Sequence, residues 1–399
     1  MLNHHSKKNI LFYCQHLWGI GHLMRAAALA RVLAHHRVHL VLGGRVVAKA
    51  LASPTFRVHR LAPLGCDDAV THLVPLQRGR TLEAVKRNRR RKLLALLDAV
   101  APDLAVVEMF PFGRPWFRFE LVPMLEALHR EGIPVVCSVR DVLVRKEEPT
   151  SYARQVLEDL ERYFLAVLVH SDPCLIRLEE TFPAADRIPV PLYYTGYVDG
   201  AGNTCEQAPP QTASTGTAGQ GGLLAWTGSG ALGGSLLEAI LEATAQGLLT
   251  HVEPMRIFTG PCLDGLTRSR MAHLAKGAGR VVLKTFTRRL RYHLARSRIA
   301  LCMAGYMSAV DIMATRIPAV MVPGVQGGEQ PFRARKLEEA GYVRVLPLDS
   351  LSPQSLAEAV QKALRPREKP QEICLEGAAQ SVKILEAIMD GRHIPQPMG

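Results

Sequence analysis

Between Ile299 and Pro323 the chain runs through an apolar stretch, a pair of small residues, a helix-forming stretch and a second apolar stretch, an order that few folds accept. Residues 299–303 are apolar throughout and read as a buried strand, Ala304 and Gly305 permit a tight turn, residues 308–315 suit a helix and residues 318–323 a second strand. A helix that begins at such a turn points its unpaired N–H groups outward and suits an anion such as a diphosphate. Asp311, one turn further on, is placed to accept hydrogen bonds from ribose hydroxyls. The loop 324–330 then carries Gln326, Glu329 and Gln330, whose polar side chains fall where a sugar would follow the diphosphate. The plain alternative is one more αβ unit with no ligand.

The same order appears elsewhere in the chain. Residues 9–14 read as an apolar strand, Gly19 and Gly21 make a turn, and residues 22–34 are an alanine- and leucine-rich helix. His22 stands at the helix start, where its imidazole either does chemistry at the ligand edge of the sheet or only caps and packs. Residues 223–226 form a further strand, followed by Gly228, Gly230, Gly233 and Gly234 before another helix. No Gly-Lys-Ser/Thr follows these glycines, so they are not a P-loop, and no acid stands where a nicotinamide dinucleotide site needs one.

Open α/β sheets bind ligands beyond the carboxyl ends of their strands, which makes the strand ends the places to search. Residues 104–108 end in Glu108 and open into an aromatic run with Phe110, Phe112, Trp116 and Phe119, interleaved with Arg114 and Arg118. Core packing accounts for some of these rings; the others, with Arg114, would form a platform for a ligand carrying a phosphate or carboxylate. Strands 135–138 and 166–169 deliver Arg140, Asp141 and His170, with ion pairing of Arg140 and Asp141 as the alternative to an acceptor role. Strand 256–259 ends at Gly260, and strand 281–283 leads to Phe286.

At 399 residues the chain exceeds one comfortable core, and 48% hydrophobic with 21% charged residues describes a packed protein, not a disordered one. A net charge of +13 favours anionic partners, but aromatic residues are only 6% and no nucleic-acid-binding motif is present, so nucleic acid is excluded as a partner. The eight cysteines are scattered without a Cys-x-x-Cys pair, which predicts reduced thiols in a cytoplasmic protein. A polar start leading straight into a strand predicts no signal peptide, and no apolar run reaches spanning length, so any membrane contact is expected to be peripheral. A helix over 78–100 carries eight basic residues between Arg78 and Lys92; these make either a solvated face or an anchor for acidic headgroups.

Residues 200–222 are rich in Gly, Ser, Thr, Ala, Gln and Pro with hardly a charge, which predicts a linker. The expected division is a first domain over 1–197, a linker over 198–222 and a second domain over 223–370. Helices are expected over 352–364 and 378–389, with Pro366 and Pro370 breaking the chain between them.

Gly305-Tyr306-Met307-Ser308, Asp311, Glu329-Gln330 and Arg333-Ala334 resemble glycosyltransferase family 28, and most nearly its branch of predicted bacterial glycosyltransferases. In that branch the pattern runs Gly-Tyr-Asn-Thr, then Glu, then Glu-Gln and Arg-Ala. Met307 here stands in place of an amide, and Asp311 is one methylene shorter than the glutamate. Gly21-His22, Arg25, Glu108, the run from Phe110 to Arg114 and Phe119-Glu120-Leu121 are similar to the same branch.

The resemblance implies an α/β protein of two facing Rossmann-like domains (the GT-B fold) with an interdomain cleft, the first domain being the acceptor half and the second the donor half, and the C-terminal helix 376–399 returning to the first domain. It implies a metal-independent, cofactor-free transferase that moves a sugar from a nucleotide diphosphate sugar, UDP-linked, to an acceptor with inversion. Retaining relatives carry a second carboxylate on the corresponding helix; counting on from Asp311 reaches Ala319. Donor residues would be Gly228, Gly230, Phe286, Gly305, Tyr306, Ser308, Asp311, Glu329 and Gln330, and acceptor residues Gly19, Gly21, Arg25, Phe112, Arg114, Arg140, Asp141 and His170. The base is His22 or Glu108, with His16 as a further histidine at the same turn. The acceptor is open, and an acidic membrane surface is a candidate partner. A nucleotide-sugar hydrolase or epimerase, a nicotinamide oxidoreductase and a non-catalytic nucleotide-sugar binder stay as alternatives.

Overall fold

The structure is a computed structural model that describes residues 7–16, 21–44, 55–66, 72–144, 149–200, 221–230, 232–324, 328–366 and 368–392. Gly19, the loop 325–327 and residues 201–220 of the expected linker lie outside the described residues. Contacts divide the chain into two compact units, Met1–Gly202 with Cys374–Gly399, and Asn203–Ile373.

The first unit holds a seven-stranded parallel sheet. Its strands are β1 (Asn9–Cys14), β2 (Arg37–Leu42), β3 (Arg57–Arg60), β6 (Leu104–Glu108), β7 (Val135–Arg140), β8 (Ala166–His170) and β9 (Leu192–Tyr194), in the order β3-β2-β1-β6-β7-β8-β9. β4 (Leu64–Cys66) and β5 (Leu73–Pro75) pair antiparallel outside it. Alternate residues of β1 feed two cores, Leu11 and Tyr13 on one face, Ile10, Phe12 and Cys14 on the other. Burial on both faces explains why these strands read as continuous apolar runs. The last helix, Gly377–Met389, packs on the helix Gly21–Val32 and adds Ala378 and Leu385 to the second core.

The second unit holds a six-stranded parallel sheet in the order β12-β11-β10-β13-β14-β15. The strands are β10 (Leu223–Trp226), β11 (Met255–Phe258), β12 (Val281–Lys284), β13 (Ile299–Cys302), β14 (Ala319–Met321) and β15 (Arg344–Val345). In both sheets the strand order reverses once, between β1 and β6 and between β10 and β13. A crevice opens at such a reversal because the connections leave to opposite faces of the sheet.

The basic run does not form one continuous solvated face. Its helix starts at Leu82, capped by the Thr81 hydroxyl, and Arg89 turns inward to complete burial. There Arg89 bonds Glu120, the Gln15 side chain at 2.9 Å and the carbonyls of Gly43 and Ala62. Tyr13 adds a hydroxyl donated to Glu120 at 2.5 Å. Burial would tend to discharge Arg89, but the Glu120 carboxylate keeps it charged. Gly43 allows this close approach, since a Cβ there would meet Gln15 Oε1 at 2.1 Å.

Candidate functional site

In the first unit the reversal brings the helix Gly21–Val32, which follows β1, against the end of β6. His22 Nδ1 lies 2.8 Å from Glu108 Oε1, the Arg25 guanidinium donates to the same oxygen, and the Ser138 hydroxyl at the end of β7 donates to Oε2 at 2.9 Å. Glu108 is 3% exposed. Burial alone would raise its pKa, but Arg25 and the hydrogen bond from His22 override this and hold the carboxyl well below the usual range. An ionised carboxylate only accepts, so His22 carries its proton on Nδ1 and leaves Nε2 as the basic nitrogen.

The His22 side chain keeps 13% of its surface open. Burial, reinforced by the Arg114 guanidinium, pushes its pKa well below 6.5 and keeps the ring neutral. Arg140 Nη1 stands 3.4 Å from Nε2, and Arg114 is tied back through Nε to the Gln15 carbonyl at 2.7 Å.

The remaining first-unit candidates divide by exposure. Arg114 and Arg140 stay partly exposed beside His22. Arg25, Phe112, Asp141 and His170 are buried to within 2%. Phe112 meets Phe182 edge to face, as core packing requires. Asp141 accepts from the Val142 N–H at 2.9 Å and the Tyr197 hydroxyl at 3.4 Å. His170 sits behind Ser138, 2.9 Å from its hydroxyl. Gly21 opens the helix with nothing within 4 Å of a Cβ placed there, so sterics do not demand glycine.

In the second unit the reversal places the turn after β10 beside the turn after β13. Gly228 and Gly230 both have positive φ, and a Cβ on Gly230 would meet the Thr259 carbonyl oxygen at 2.4 Å. Gly305 caps the helix Tyr306–Thr315 without a side-chain bond. Ser308 in that first turn accepts from Trp226 Nε1 at 3.0 Å. Asp311 accepts from Arg291 Nε at 3.0 Å, both side chains being less than one-fifth exposed.

Gln330 Oε1 accepts from the Gly324 N–H at 3.0 Å, and Glu329 accepts from Arg333 at 2.7 Å. Arg333, fully buried, also donates to the Ala304 carbonyl at 2.8 Å and lies under the Tyr306 ring. The arginine of the Arg-Ala pair therefore holds the turn that starts the helix. Phe286 is half-buried after β12, where the N–H groups of Thr259 and Gly260 bond the carbonyls of Lys284 and Thr285.

Sequence reasoning assigned no role to Ser138, Trp226 or Arg291. Ser138 could have been noticed as the one hydroxyl in the apolar run Val135–Arg140. Arg291 is one of several arginines in its stretch, and no pattern distinguishes it. Among the described residues, His35, His36 and Glu386 form the one group with metal-ligand geometry. The Lys8 N–H points at His36 Nδ1 from 3.3 Å, which puts that ring's proton on the Nε2 a metal would need.

Residues 234–386 match the family model for the glycosyltransferase family 28 C-terminal domain. The chain is a glycosyltransferase of the GT-B fold. The calicheamicin glycosyltransferase CalG4 is 18% identical, with 98% of this chain and 100% of that one covered at a TM-score of 0.62. MurG of Acinetobacter baumannii is 14% identical over 95% and 99%, TM-score 0.55. The glycosyltransferase VinC, solved with dTDP, is 13% identical over 96% and 95%, TM-score 0.57. At these identities the solved structures carry the fold alone. No curated protein matches the chain. Among the described residues, no helix of this glycosyltransferase is long and apolar enough to cross a membrane.

Proposed function

We propose that the protein moves a sugar from a UDP-linked donor to an acceptor hydroxyl with inversion, and that His22 is the base. The observation that carries this is the His22–Glu108 pair: a neutral, partly exposed imidazole whose Nδ1 proton is held by an ionised carboxylate, leaving Nε2 to receive a proton. In the displacement, the acceptor O–H loses its proton to Nε2 and the oxygen forms a bond to the anomeric carbon. The bond from that carbon to the diphosphate breaks, and its electron pair leaves with the diphosphate. Glu108 then faces the imidazolium and stabilises it, while Arg114 and Arg140, partly exposed beside His22, suit a phosphate or carboxylate on the acceptor.

On the donor side, the N–H groups after Gly305 and the turn through Gly228 and Gly230 suit the diphosphate, and Asp311 suits the ribose. Tyr306 and Ser308 open that helix, Phe286 stands where the base would lie, and Glu329 and Gln330 follow toward the sugar. The family match over residues 234–386 supports the donor assignment, as does the dTDP bound by VinC.

A melting-shift screen of UDP, dTDP, GDP and ADP with their sugars identifies the donor, and release of the nucleoside diphosphate measures turnover. Replacing His22 with Ala should lower turnover by about 10²–10⁴-fold with the donor-induced melting shift unchanged. A His22→Ala protein with most of its turnover would remove the base assignment, and no melting shift with any nucleotide would remove the donor reading.

A further inference from the structure

Glu108 has a line of buried polar groups behind it that the transfer step does not use. Ser138 Oγ, which donates to Glu108 Oε2 at 2.9 Å, lies 2.9 Å from His170 Nε2, and His170 Nδ1 lies 2.9 Å from Thr195 Oγ1. Ser138, His170 and Thr195 are each at most 1% exposed. The carboxylate fixes the direction of the first two links, while the one proton of the Thr195 hydroxyl is within reach of both His170 Nδ1 and the Gly196 carbonyl, each at 2.9 Å. The carboxylate accepts only, so the Ser138 hydroxyl donates to it and accepts from His170 Nε2–H, which leaves Nδ1 as the acceptor that faces the Thr195 hydroxyl. Burial pushes the His170 pKa down to about 3, with Arg25 adding to the effect, so the ring stays neutral and keeps this tautomer.

We propose that Ser138, His170 and Thr195 form a directional hydrogen-bond relay that sets the basicity of His22 through Glu108. They are positioning residues, since none of them reaches a substrate. Each donor in such a chain strengthens the next, so the relay draws electron density from Glu108 and weakens its hold on a protonated His22. The other groups around the pair are Arg25, Arg114, Arg140 and the thiols of Cys14 and Cys137. Burial pushes the thiols of Cys14 and Cys137 up and keeps them protonated. The proposal rests on His22 being the base, but its test does not need turnover.

The experiment follows the imidazole ¹⁵N shifts of the labelled full-length chain against pH, with the His22 signals assigned by their loss in His22→Gln. Wild type should show the Nδ1–H tautomer and a midpoint below 6.5. Ser138→Ala removes one donor from Glu108, leaves the carboxylate a stronger partner for imidazolium, and should raise the midpoint by about 0.5–1 pH unit. Ser138→Thr keeps the hydroxyl and should titrate like wild type. Thr195→Val, at the far end and nearly isosteric, should shift the midpoint in the same direction by less, and it stands in if Ser138→Ala fails to fold. An unchanged midpoint in Ser138→Ala, or an equal shift in Ser138→Thr, would overturn the relay. His22→Ala with full turnover would overturn the base assignment and leave the titration result standing.

Discussion

Replacing Glu108 with Gln keeps the shape of the site and removes one buried charge. Arg25, 1% exposed, then loses the anion that compensates it inside the first unit. Leaving one partner of a buried pair uncompensated costs about 3–5 kcal/mol. For a unit of this size each kcal/mol moves the melting temperature by about 2–4 °C, so a drop of about 6–20 °C is expected at pH 7. The wild-type protein should show the same linkage in its pH dependence. A carboxyl whose pKa is lowered on folding contributes stability that is fully present above its unfolded pKa and disappears as pH falls through the folded value, because the unfolded chain takes the proton first. The Glu108→Gln melting temperature should therefore approach that of wild type as the pH is lowered below about 4. Calorimetry between pH 3 and pH 8 measures both effects. Replacing Arg25 with Met in the Glu108→Gln background removes the stranded charge and should recover part of the loss. A Glu108→Gln protein that melts within ~2 °C of wild type at pH 7, or a double variant no better than the single one, would refute the argument that this pair is a compensated buried charge.

Two further outcomes are expected. Asp311→Ala should weaken UDP binding by about 1–3 kcal/mol in a titration, the usual cost of an unpaired buried hydroxyl; unchanged affinity would show that Asp311 serves Arg291 and not the ribose. Reversing the exposed Arg87, Arg90 and Arg91 to Glu while leaving the buried Arg89 intact should abolish sedimentation with acidic-lipid vesicles at low salt, and salt should release the wild type; equal binding to neutral and acidic vesicles would leave these arginines as a solvated face.

The amino-acid sequence by itself determined the strands and the turns. The run at 9–14, the run at 104–108 and the run at 223–226 coincide with β1, β6 and β10 to the residue, because strands buried on both faces are apolar at nearly every position, Asn9 and Glu108 standing at strand ends. The helix 378–389 was equally legible, its observed start one residue earlier at Gly377. Short edge pieces such as β9, β15 and the β4–β5 pair were not legible, since two or three residues carry too little periodicity to register.

The candidate site was legible only as a set of strand ends. That His22 and Glu108 meet follows from the sheet reversing between β1 and β6, a property of strand order that no local pattern encodes. The sequence also could not say which polar side chains turn inward. Arg89 belongs by composition to a basic run, and Asp141 and His170 stand at strand ends where ligands bind, yet all three are fully buried. A charged side chain goes inside when a partner waits there, and the partners Glu120, Tyr197 and Ser138 lie 31, 56 and 32 residues away along the chain. Such pairings exist only once the sheet has brought its strand ends together, so the tertiary structure alone decided which candidates face solvent and which hold the site in place.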